Sequence, residues 1–374
     1  ILDGGYATRL FKVFNASLNL NNVEIRNGNA TFGGAIVAMG SNLTLDGVTF
    51  SNHRANDKNG GAMFVYGGST ISFKGDTKFF NNTSKNYGGA LYVFNSSISW
   101  EGVSSFSDNS AFHSGGAICA VVGSTLSWVA DATFDRNHAD NYNGGALFLE
   151  DGSNASWSAA VNFTDNYAGY EGGAILIDLG SGASWSGTTF FSGNNAKLGG
   201  GGAILIGYSS NKSSLLINST TMFVANTCES NGGGLAMLGG LSVLFRMSNT
   251  TFINNKANVA GGAVSIAATG EGATFTNAIF RSNLAKTGGA VFITGSSTSF
   301  DNVDVSAMFE GCEFISNKAE ATGGAIEIAT GTAAIRSTIF RSNEAGNGGA
   351  LRLSGATTMD MCIFDENISE LDGG

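Results

Sequence analysis

Apolar and polar residues alternate along this chain in runs of three to five, and each run is bounded by Gly, Asn, Asp or Ser. Leu91-Tyr92-Val93, Ile98-Ser99-Trp100 and Ser104-Ser105-Phe106 are three such runs in one stretch. A period of two with β-branched and aromatic residues predicts strands and argues against helices. The first strand of each group places Ile36/Ala38, Met63/Val65, Leu91/Val93, Leu147/Leu149, Ile175/Ile177, Ile204/Ile206, Val264/Ile266 and Ile326/Ile328 on one face, the expected core face. The second carries Phe73, Trp100, Trp128, Trp157 and Trp185 at equivalent places, alternating with Ser72, Ser99, Ser127, Ser156 and Ser184, which should face out. The third ends in Phe-x-x-Asn, from Phe79/Asn82 to Phe364/Asn367, and decays to Phe50/His53 near the start.

The groups repeat. Gly-Gly-Ala precedes the first strand at Gly33, Gly60, Gly88, Gly115, Gly144, Gly172, Gly201, Gly261, Gly288, Gly323 and Gly348, and Gly232 opens a variant copy. Most steps are 25 to 31 residues, and the step from Gly288 to Gly323 is 35. Such a period marks a solenoid, whose repeats bury their apolar faces only by stacking. We expect an all-β fold, a right-handed parallel β-helix of about 13 coils with three short strands per coil, forming one continuous domain over residues 1–374. Phe should fill the coil interior, and the Asn of Phe-x-x-Asn should tolerate left-handed backbone angles while its amide bonds the next Asn along the stack. The glycine pair should supply positive φ where a Cβ would clash. Because the chain opens at Ile1-Leu2-Asp3-Gly4-Gly5 and closes on Gly373-Gly374, inside the repeat pattern, it reads as a segment of a longer protein.

Gly-Gly-Ala followed by Ile, Leu or Val, paired with Phe-x-x-Asn, resembles the repeats of the polymorphic outer membrane proteins of chlamydiae. The resemblance covers essentially the whole chain. It implies an exported, cell-surface passenger region with a role in adhesion, carried by a C-terminal outer-membrane barrel, although no block of alternating lipid-facing strands ends this chain.

Composition narrows the function classes. Proline is absent, which suits central strands, and 55 glycines serve the corners. The net charge of −10, with only 19 scattered basic residues, argues against a nucleic-acid partner. No apolar run is long enough for a transmembrane helix. The expected partners are copies of the chain itself, another surface protein, or glycans, in an extracellular or cell-surface location.

Polysaccharide-active β-helices make catalysis worth testing, because such sites cluster acids on an outward face. The outward position after Gly-Gly-Ala is instead apolar for most of its length, with Val37, Phe64, Tyr92, Phe148, Leu176, Leu205 and Phe292 as candidate interface residues. An apolar outer row should be covered by a partner or a second copy. We therefore expect a non-enzymatic structural or adhesive solenoid without cofactor, self-assembling or partner-binding through this row. The alternative is a carbohydrate-binding or polysaccharide-active protein using the tryptophan row. Asp108, Asp135 and Asp165, or Asp301 and Asp304 in the long step, could hold a cation, but neither group has a recognised ligand spacing. His53, His113 and His138 lie in turns without partners of matching register. Cys312 and Cys362 sit two coils apart, beyond disulfide reach, and Cys228 replaces a corner alanine. Sequons at Asn42, Asn95, Asn154, Asn162, Asn211, Asn218 and Asn249 are candidate N-glycosylation sites, whereas Asn82 and Asn367 should point inward.

Overall fold

In-register parallel pairing dominates the computed structural model, which describes residues 1–207, 213–238, 244–267, 273–295 and 306–373. The chain divides into two compact units, Ile1–Thr188 and Thr189–Gly374. Each is a parallel β-solenoid, and among the described residues every regular element is a strand. In the first unit, Leu91–Phe94 pairs with Met63–Tyr66 and Ser97–Trp100 with Thr70–Phe73. Ser104–Ser107 pairs likewise with Thr77–Phe80. The second unit repeats the pattern: Leu235–Leu238 pairs with Ile204–Ile206, and Thr250–Ile253 with Thr221–Val224. Besides the three expected strands, the coils carry a fourth at the corner after the ladder position, two residues long in the first unit, as in Ser110–Ala111 against Thr83–Ser84, and four or five long from Leu284–Thr287 onward.

Identical residues in register make the core a set of ladders. In the first unit Phe50, Phe79, Phe106, Phe134 and Phe163 stack with centroids 4.8–4.9 Å apart and rings within 7° of parallel. Phe73, Trp100, Trp128, Trp157 and Trp185 form a second stack with spacings of 5.3, 4.2, 4.7 and 5.2 Å. The second unit continues in kind from Phe191 through Phe223, Phe252, Phe280, Phe314 and Phe340 to Phe364. These rings bring large apolar areas out of water in offset stacks, which are favourable beyond their area.

The asparagine ladder satisfies every polar atom that it buries. Asn109 Nδ2 donates to Phe79 O at 3.0 Å and to Asn137 Oδ1 at 3.0 Å, while the Asn109 backbone N–H donates to the same Oδ1 at 3.1 Å. The second unit repeats this at Asn226, Asn255, Asn283 and Asn317. The left-handed residue is not this Asn, as the sequence pattern suggested, but the one before it: Asn81, Asp108, Arg136 and Asp165 have φ between +48° and +54°. The turn at that residue is what aims the next side chain inward.

Both glycines of the pair are required by the backbone around them. The first glycine of each pair in the first unit has φ between +53° and +69°. Both are also needed for space: a Cβ on Gly115 would lie 2.4 Å from Ile118 O, and one on Gly116 would lie 2.0 Å from Gly145 O and 2.6 Å from the backbone of His138. Backbone of adjacent coils meets there with no room for a side chain.

Candidate functional site

Two outward columns run across the first-strand sheet of the first unit, and they differ in exposure. The second residue of each strand gives Val37, Phe64, Tyr92, Cys119, Phe148 and Leu176, aligned by strand register. The sequence pattern makes this row an open apolar stripe. The structure does not: Val37, Cys119, Phe148 and Leu176 are buried, and Phe64 and Tyr92 are half-buried. In the second unit Leu205 is buried and Phe292 half-buried.

The cause is the corner that precedes each strand. The glycine in left-handed conformation turns the chain back over the sheet, so that a Cβ on Gly33 would lie 3.1 Å from Phe64 Cβ and one on Gly115 3.0 Å from Cys119 Cβ. Corner side chains complete the cover, with the Phe32 ring 5.0 Å from Phe64 and Tyr87 6.5 Å from Tyr92. Arg9 stacks over Phe32 at 4.8 Å.

The accessible apolar column is the fourth residue of the strand. Phe14, Met39, Tyr66, Phe94 and Val121 are register partners in successive coils. Phe14 is 48 % and Phe94 38 % exposed, with Met39 and Tyr66 half-buried and Val121 buried. The same alternation that marks Phe64 and Tyr92 as outward, carried two residues further, identifies Tyr66 and Phe94. Beyond Val121 the column changes character: Glu150 N bonds Ala120 O and Asp178 N bonds Leu149 O, placing these carboxylates in the next two coils.

Where the columns meet, a groove of about 420 Å³ is lined by Tyr87, Tyr92, Phe94, Val121, Phe148 and Glu150, among others. Its corner wall continues as an aromatic series, with His113 5.3 Å from Tyr87 and 4.8 Å from Tyr142. Burial pushes the Glu150 carboxyl above the usual carboxylate range, and the neighbouring Asp178 and Asp151 push in the same direction. Burial, then Glu150, pushes the Cys119 thiol well up, which leaves it an unreactive neutral thiol. All four cysteines are free; Cys228 and Cys312 are buried, and Cys362 is half-buried.

The other candidate groups do not assemble a site. Trp100, Trp128, Trp157 and Trp185 are fully buried, so the tryptophan row offers no platform to a sugar. Arg136 sits among the turn acids, with Nε 2.9 Å from Asp108 Oδ1 and a second close contact to Asp135, so its guanidinium already supplies the positive charge there. Asp301 and Asp304 lie outside the described residues, as does Asn211. Among the described residues, no group of three or more His, Cys, Asp or Glu has metal-site geometry. Asn42, Asn95, Asn154, Asn162, Asn218 and Asn249 are exposed, while Asn82 is buried in the ladder and Asn367 is half-buried.

His53 corrects the reading of the histidines as residues of unmatched register. It occupies the ladder position, buried, with its backbone N–H donating to Asn82 Oδ1 at 3.0 Å. Its Nδ1 accepts from Gly28 N–H and its Nε2 lies 2.9 Å from Ile25 O, which assigns the neutral Nε2–H tautomer.

Residues 76–93 and 103–121 match the Chlamydia polymorphic membrane protein repeat. None of the curated proteins and none of the solved structures compared with the chain matches it. The structure is thus a parallel β-solenoid in which two segments of the first unit match this repeat, and their Phe-x-x-Asn and Gly-Gly-Ala positions recur in the other coils. No helix among the described residues is long and apolar enough to cross a membrane.

Proposed function

We propose that the chain is a non-catalytic, extracellular β-helix of a cell-surface protein, and that it is adhesive: it contacts a partner surface through the fourth-residue column of the first unit. The observation that carries this reading is the run Phe14, Met39, Tyr66 and Phe94, large apolar side chains left accessible on one sheet while the core of the same sheet is complete. Exposed apolar side chains grouped in this way mark interaction surfaces, and aromatic residues dominate the energetics of such contacts. The repeat type supports a surface location. The glycan alternative lost its main support when the tryptophans proved to be core residues.

Beads coated with the chain and applied to epithelial monolayers test this directly. The double substitution Tyr66→Lys and Phe94→Lys should lower retention about tenfold, as for loss of aromatic anchors, with far-UV circular dichroism unchanged. Undiminished retention would reject the surface. Sedimentation of the same proteins distinguishes self-association, which would appear as a concentration-dependent increase in sedimentation coefficient lost in the double variant. Phe148→Lys is no substitute, because Phe148 is buried and a lysine there would disturb packing.

A further inference from the structure

We infer that the groove beside Phe94 is a docking site for a lysine or arginine side chain of a partner protein. The inference rests on the contact-face reading above and gives that face a chemical preference. Along one column, adjacent coils present Phe94, then Val121, then Glu150, with Asp178 following. The surface therefore passes from aromatic to aliphatic to anionic in steps of about 4.8 Å, which is the sequence of environments along an extended basic side chain. Tyr87 and Tyr92 line the same groove.

Charge decides which occupant fits. The groove lining contains Glu150 and Asp151 and no basic residue. Among the described residues neither Glu150 nor Asp151 makes an ion pair, whereas Glu327, the carboxylate on the equivalent sheet of the second unit, is held by Arg352 Nη1 at 2.6 Å. Glu150 lines the groove together with Tyr87, Tyr92 and Cys119, so its carboxylate stands in the groove wall. A neutral apolar occupant would cover that carboxylate without compensation, and an anionic one would be repelled. A basic side chain meets both demands: its methylene stem lies on Phe94 and Val121, and its head reaches Glu150 beside the tyrosine ring faces. At about 420 Å³ the groove suits one side chain with its flanking backbone.

Calorimetric titration of the full chain with acetyl-Phe-Arg-amide and with acetyl-Phe-citrulline-amide, a neutral isostere, tests the inference. The arginine peptide should bind in the millimolar range and at least about tenfold more tightly than the citrulline peptide. Glu150→Gln should reduce arginine-peptide affinity about fivefold or more while leaving citrulline-peptide affinity unchanged. Asp151→Asn, at an exposed position, should act in the same direction and serves if the first variant folds poorly. Equal affinity for the two peptides overturns the cation site but leaves an apolar contact face, which the bead assay judges separately. Absence of arginine-peptide binding at millimolar concentration overturns it as well, as does an unchanged affinity in both variants.

Discussion

At the level of single residues, His53 shows what a ladder position demands. It stands between Gly28 and Asn82 in the ladder, where the asparagines of later coils both donate and accept through their amides, and imidazole can reproduce this only when neutral. Gly28 N–H points at Nδ1, leaving no room for a proton there. Burial accordingly lowers the His53 pKa to about 4, from an ordinary value of 6.5, against a smaller opposing effect of the Ile25 carbonyl. The sign follows from linkage: between these values the unfolded chain binds a proton that the folded chain refuses, so stability is complete above pH 6.5 and declines as pH falls toward 4. The full loss is about 3 kcal/mol. Urea midpoints measured at pH 7.5, 5.5 and 4.5 should show this decline, and His53→Asn, which restores the ladder residue, should remove most of it. A parallel decline in both proteins would mean that other groups govern acid sensitivity. The phenylalanine stack, the asparagine ladder and the inward aromatic series were all readable from spacing, because each side chain's direction follows from strand period alone. The left-handed residue was not, since the position holds Asn81, Asp108, Arg136 and Asp165 in successive coils and not one residue type; the turn constrains the backbone there and not the side chain.

At the level of the coil, the corner is the element that sequence period describes least. Alternation correctly gives the outward direction of Phe64, Tyr92 and Phe148, but direction is not exposure, and the fold-back at the glycine pair covers what the strand turns outward. The interface read from the sequence therefore moves two residues, from Tyr92 to Phe94, on the same face. A turn glycine that needs only a left-handed φ separates by experiment from a corner glycine that needs space. Gly123 has φ +67° with nothing within 4 Å of an added Cβ, so Gly123→Ala should cost only the backbone term of about 1 kcal/mol. Gly116→Ala would drive a methyl to 2.0 Å from Gly145 O, and should cost more than about 3 kcal/mol or prevent folding. Thermal melts of the two variants give the comparison, and similar costs would contradict the close-approach argument. The tryptophan stack has its own expense: Trp128 Nε1 finds Ser104 Oγ at 3.1 Å, whereas the indole nitrogens of Trp100 and Trp157 are buried without a partner. Aromatic stacking offsets that desolvation, which fits a structural and not a ligand-binding role for the row.

For the molecule as a whole, the acidic balance was evident in the composition, but its placement was not. A net charge of −10 says only that acids exceed bases. The structure locates consequential members of that excess, Glu150 and Asp178, at the end of an aromatic column, while other acids are answered by neighbours such as Arg136 and Arg352. The segments that match the Chlamydia repeat include Tyr87, Tyr92 and Val121, whereas Phe94, Phe148 and Glu150 lie outside them, so the groove draws only part of its lining from the matched segments. Its chemistry arises from the positions that the repeat leaves open. Core ladders and corner glycines fix the scaffold, while Phe14 and Phe94, at the fourth position of the first strand, remain exposed. Replacing exposed Phe14 and Phe94 by Ser should then leave stability within about 1 kcal/mol, measured by denaturant unfolding. Scaffold and recognition would thus change on separate schedules: variation at one side chain per coil can rewrite what the surface binds, at almost no risk to folding.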